Sequence, residues 1–236
     1  MLKHRIILAG LAAAAFTLMA TPAMAWPADR NALACANVRN ELPATVQADG
    51  CTRFLRSFGI SRHDRAQAYK SRGNAYRSMY QFELAFADYN EALRLAPDYA
   101  NAYNNRGIAQ RMAGNLEAAI ADFDAAVRSD PTWAPAFSNR GSVYAELGDL
   151  DRAIADQSAA IQLDSQLASA YNGRGNAYRA LGQYELAVAD YNAAIRISPR
   201  YAEAYRNRAR AYQDTGVTEL ANADSEEAAR LSVSSD

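Results

Sequence analysis

The sequence is poor in the residues that chemistry usually needs. Two histidines occur in 236 residues, and His4 lies in a candidate leader, which leaves His63. One imidazole beside Asp64, with no recurring serine or cysteine nucleophile around it, makes a weak acid–base centre. The chain therefore reads as non-enzymatic. Cysteine is as scarce: Cys35 and Cys51 stand 16 residues apart, without a C-x-x-C pair. Two thiols and one imidazole fall short of a zinc site, and no metal or other cofactor is expected. No glycine-rich loop offers backbone N–H groups to phosphates. Basic residues do not dominate either, with 25 Lys and Arg against 26 Asp and Glu, unlike a nucleic-acid binder. Beyond the first 25 residues no run is apolar enough to span a bilayer.

The one long apolar run, Ile6 to Ala20, follows Lys3, His4 and Arg5 and precedes Ala23-Met24-Ala25. That is the layout of a secretory signal peptide. The run is shorter than the ~20 residues of a membrane span, and Pro22 follows it closely. Cleavage after Ala25 is expected, with no cysteine there to carry a lipid. The mature chain is then placed in a periplasm, with 23 basic and 26 acidic residues and a net charge of about −3. Paired cysteines in an exported chain read as a disulfide. Residues 26–64 read as a helical cap. Asp29 caps a helix through about Asn40, and Pro43 opens a second through about Ser57. Cys35–Cys51 would bridge the two, contributing about 3 kcal/mol in the loop-entropy picture. The CTRFLRSFGIS stretch looks like the second helix of a degenerate repeat that closes the apolar end of a stack.

What the chain does have is periodicity. In 168–200, Tyr171, Gly175, Tyr178 and Leu181 share one helical face. After Gly182-Gln183, Tyr184, Ala187, Tyr191, Ala194 and Ile195 share a second. Pro199 ends that helix. The spacing predicts a helical hairpin with Gly175 against Ala187 and the tyrosines around them. Steps of 34 residues find the same pattern again. Glycine recurs as Gly73, Gly107, Gly141 and Gly175, then Ala209. An aromatic recurs as Tyr69, Tyr103, Phe137, Tyr171 and Tyr205. Alanine recurs as Ala85, Ala119, Ala153, Ala187 and Ala221, and again as Ala92, Ala126, Ala160, Ala194 and Ala228.

This period and these residue types resemble the tetratricopeptide repeat. The resemblance implies an all-α fold, a right-handed α-solenoid of stacked hairpins, with repeats 66–99, 100–133, 134–167, 168–201 and 202–235. Arg72, Arg106, Arg140, Arg174 and Arg208 stand where the family usually has leucine, and Gln110, Gln157, Ser165 and Ser225 break single columns. Asp88, Asp122, Asp156, Asp190 and Asp224 recur 16 residues after the arginines. The two columns read as a structural ion-pair ladder, within a repeat or to the next, and not as a ligand-binding ladder. The abundant tyrosines read as packing, not as base-stacking platforms. Ser225, Glu226 and Glu227 give the last helix the polar face of a terminal cap.

If the first helices sit as in similar domains, they line a concave groove that holds a partner protein or peptide. The resemblance then places Lys70, Asn74, Arg77, Asn104, Asn105, Arg111, Asn139, Asn172, Asn176, Arg179, Arg206, Asn207 and Arg210 there. Six cations against Glu146, Glu203 and Asp214 leave the face at +3, so an acidic or carboxylate-bearing segment is expected. The asparagine amides suit an extended peptide backbone. Lys70, Asn74 and Asn105 match three positions of the carboxylate clamp of chaperone-binding domains, but Pro135 and Asn139 hold the other two. The competing reading is a homo-oligomer assembled through the fifth repeat.

Overall fold

The computed structural model describes residues 30–37 and 41–233. The candidate leader and the Asp29 cap lie outside them. Among the described residues there are twelve helices and no strand. Two form the cap, α1 Arg30–Ala36 and α2 Ala44–Leu55. Five hairpins follow: α3 Arg62–Ser78 with α4 Phe82–Leu95, α5 Ala100–Met112 with α6 Leu116–Ser129, and α7 Ala134–Glu146 with α8 Leu150–Leu163. Then come α9 Ala168–Ala180 with α10 Tyr184–Ile197, and α11 Ala202–Asp214 with α12 Thr218–Val233. No helix is long and apolar enough to cross a membrane.

Local signals explain where the bounds differ from the period. α3 starts at Arg62, one turn early, because Ser61 Oγ accepts from the Asp64 backbone N–H at 3.0 Å, a side-chain N-cap. His63 and Asp64 thus belong to its first turn. α1 ends at Ala36, short of Asn40, where Asn37 turns to φ 39° and exchanges hydrogen bonds with Leu42. α2 stops at Leu55, short of Ser57.

Within each hairpin the turn is a Schellman-type cap. The residue opening the second helix donates to the carbonyl five positions back, as from Asn115 to Gln110 at 2.9 Å and from Gln183 to Tyr178 at 2.9 Å. The residue before it takes positive φ: Gly114, Gly148, Gly182 and Gly216, with Tyr80 in the first repeat, as the motif demands. Between repeats the chain leaves the second helix extended, at Ala96, Asp130, Asp164 and Ser198. A proline follows three of these and enforces that geometry. Asp164 adopts it before Ser165, so neighbouring repeats suffice to hold it.

The glycine column works differently from the expected Gly175–Ala187 contact. A Cβ on Gly175 would meet the Tyr191 ring at 2.8 Å, with the Ala187 carbonyl only second at 3.2 Å. Gly73 and Gly107 face the Tyr89 and Phe123 rings at the same 2.8 Å. These glycines make room for one fully buried aromatic each, and the alanine columns fill the space between helices at near-zero exposure.

The ionic columns pair within each repeat. Arg72 grips Asp88 through two bonds of 2.7 Å, Arg140 grips Asp156 at 2.7 Å, and Arg174 grips Asp190 at 2.8 Å. Arg106–Asp122 and Arg208–Asp224 do the same. The remaining guanidinium nitrogen reaches back to the preceding second helix: Arg72 to Thr52, Arg106 to Asn90, Arg140 to Asp124, Arg174 to Ser158, Arg208 to Asn192. Each arginine also lies 5.5–5.8 Å from the aromatic three residues before it. Thr52 shows that α2 occupies the place of a preceding second helix. The cap is closed by the Cys35–Cys51 disulfide and by Gly50, where a Cβ would lie 2.6 Å from the Ala34 Cβ. Both cysteines are buried with Ala68 of α3.

Candidate functional site: the inner groove

Successive first helices touch: α3 with α5, α5 with α7, α7 with α9 and α9 with α11. Successive second helices do not. A stack drawn together along one side and splayed along the other is curved, so the first helices line its inner face.

On that face the asparagines meet one another. Asn139 Nδ2 donates to Asn104 Oδ1 at 2.8 Å, and Asn207 Nδ2 donates to Asn172 Oδ1 at 3.0 Å. Asn104, Asn172 and Asn207 are buried, so they offer less to a ligand than their columns suggest. Asn105 donates to Asn101 on its own helix at 2.8 Å. Asn74 and Asn176 each accept a 2.8 Å bond from a phenol beneath, Tyr89 and Tyr191. Burial raises both phenols above their ordinary range, which keeps them protonated as donors. Each such bond occupies the amide oxygen and leaves the amide N–H groups directed elsewhere.

The charges divide into a neutralised middle and basic ends. Arg111 pairs with Glu146 of the next first helix at 2.6 Å, and Arg179 with Asp214 at 2.7 Å. Four of the six cations are outside those pairs. Lys70 and Arg77 stand on α3. Arg206 and Arg210 stand on α11, where they line a 400 Å³ depression with Ser225. Lys70 lies 6.0 Å over the Tyr99 ring, and burial lowers its pKa below the usual lysine range.

Midway, between α7, α9 and α11, the groove deepens into a 490 Å³ pocket. Its lining includes Ser138, Asn139, Ser142, Glu146, Asn172, Gly173, Asn176, Tyr201 and Glu203. The Tyr201 phenol is pushed up to about 12, first by burial and then by Glu203. Gly173 and Tyr201 were not among the expected groove residues. The trace in the sequence is that Gly173 stands where Asn105, Asn139 and Asn207 stand in other repeats. Among the described residues no group of His, Cys, Asp and Glu is placed to hold a metal.

Tetratricopeptide repeat family models match residues 73–114, 141–180 and 175–216, together half of the chain, and a second one matches 100–133. No curated protein matches the chain. Among solved structures, MamA is 25% identical, with 69% of this chain and 95% of that one covered and a TM-score of 0.58. YrrB, described as a TPR protein with an unusual peptide-binding site, is 22% identical over 78% of this chain and 93% of its own, TM-score 0.56. PilF of Pseudomonas aeruginosa is 17% identical over 72% and 77%, TM-score 0.67. The last two likenesses concern the fold alone. The 34-residue columns, the stacked hairpins and the matched models agree, and the chain belongs to the tetratricopeptide repeat family.

Proposed function

We propose that this protein is a non-enzymatic scaffold of the periplasm whose inner groove holds an extended segment of a partner protein carrying acidic residues. The observation that carries the reading is the charge layout of the groove. Lys70 and Arg77 mark one end and Arg206 and Arg210 the other, with amides and hydroxyls between them. Such a surface attracts anionic groups at two separated points and meets peptide backbone in between. The YrrB title supports peptide binding as a use of this fold, and the MamA likeness at 25% identity supports a scaffold. Export is supported by the leader pattern of residues 1–25 and by a disulfide, a bond that persists in oxidising compartments. The mature chain is then expected to begin at Trp26, which N-terminal sequencing of protein recovered from its own host checks.

The binding test uses a capped peptide with acidic residues near both ends. Lys70→Ala with Arg77→Ala, and separately Arg206→Ala with Arg210→Ala, should each weaken binding about tenfold, as should raising salt to about 0.5 M. Affinity indifferent to all three would remove the electrostatic groove.

A further inference from the structure

In the column of Tyr89, Phe123 and Tyr191 the third repeat carries Gln157, and in the column of Asn105, Asn139 and Asn207 the fourth carries Gly173. The structure couples the two exceptions. A Cβ on Gly173 would lie 2.6 Å from Gln157 Nε2 and 2.8 Å from its Cδ, so the glutamine is accommodated by the missing side chain. Gln157 is 1% exposed. Its Nε2 donates to the Ser138 carbonyl at 2.9 Å, and since a carbonyl only accepts, the amide orientation is fixed. Its Oε1 is buried without a hydrogen-bond partner among the described residues. It lies 3.3 Å from the same point above Gly173. Unpaired buried acceptors are costly and rare.

Gln157 lies directly beneath Ser138, Ser142 and Gly173, all three of which line the 490 Å³ central pocket. The volume is in the range of small-ligand pockets. The pocket is rich in acceptors and short of free cations. Of its charged lining residues, Arg111 is tied to Glu146, while Glu203 accepts a long 3.4 Å bond from the Asn172 amide. An anion entering here would face the Glu203 carboxylate.

We propose that the Gln157–Gly173 exception creates a subsite for a lysine or arginine side chain of the bound segment, held by Glu203 and the acceptors beneath it. This rests on the groove reading above. The preferred ligand then has a central basic residue flanked by acidic ones.

The test uses three capped peptides with identical acidic flanks and Lys, Gln or Glu at the centre. Binding is read by fluorescence anisotropy and by the backbone amide resonances. The lysine peptide should bind about tenfold tighter than the glutamine peptide, and more so than the glutamate one, and should shift the Gly173 resonance. Gln157→Tyr with Gly173→Asn restores the residue pair of the neighbouring repeats. It should keep the thermal melt and erase the lysine preference. Glu203→Gln, on the surface, should reduce that preference without touching the core. Equal affinity for all three peptides overturns the subsite and leaves the groove standing. Binding of none overturns both. Putrescine binding as tightly as the lysine peptide overturns the assignment to a peptide side chain.

Discussion

Each guanidinium of the arginine ladder makes a bidentate pair with an aspartate that is almost out of solvent. The Arg174 and Asp190 side chains retain 21% and 8% of their exposure. Burial raises the Asp88 carboxyl while Arg72 works against it, and Arg72 is itself raised by its bond to Asp88. The pairs thus offset a desolvation cost more than they add stability. Asp190→Ala should destabilise by about 2 kcal/mol, less than a fully buried pair because Arg174 keeps some water. Adding Arg174→Leu, the family's usual residue, should restore most of that loss in urea unfolding. The glycine column is argued at the same scale. Gly107→Ala places a Cβ 2.8 Å from the Phe123 ring and should cost about 1–3 kcal/mol. The fifth repeat shows the converse: Ser225 replaces the ring, and Ala209 stands in the glycine column. Ala209→Gly should therefore destabilise by about 1 kcal/mol through helix propensity alone, measured in the same urea series. That pairing was legible in the sequence, as two columns that change together. The Asn139–Asn104 and Asn207–Asn172 bonds were not, because partners 35 residues apart are chosen by the stagger between first helices, which no column records.

At the scale of the element, the hairpins followed the period closely because an apolar face recurring every three to four residues has one stable burial. The cap followed local chemistry instead. Ser61 set the start of α3 and Asn37 the end of α1, and both signals were weaker in the sequence than the repeat they interrupt. α1 has seven residues, too few to be stable alone, so its place depends on the disulfide and on the Gly50–Ala34 contact. Reduction should remove about 3 kcal/mol from the cap while the repeats hold one another. Limited proteolysis with and without reductant should show new cleavage confined to residues 30–61. Simultaneous loss of all five hairpins would contradict it.

The whole molecule buries its first hairpin under the cap and leaves α12 as its other end. The outer side of α12 presents Asn222, Ala223, Ser225, Glu226, Ala229 and Arg230 to solvent, with Leu220 and Val233 apart from one another. A face of that composition is solvated and does not need a second copy. Light scattering after size exclusion should give one chain at every concentration. A mass that doubles on concentrating would favour the oligomer reading instead.

The covalently closed cap has a consequence for the direction in which the chain comes apart. Repeats exchange stability only with their neighbours, so loss begins wherever an end is least held. At one end a sulfur–sulfur bond ties α1 to α2, and Arg72 holds α2 through Thr52. At the other, α12 has only α11 behind it. A processive unfoldase engaging a C-terminal tag should peel the hairpins off singly, in reverse order of synthesis. Engaged through the opposite terminus it meets a closed loop first and must drag two strands of chain or stall. Degradation timed with the same tag at either end, under oxidising conditions, should be faster from the C-terminus, and reduction should narrow the gap.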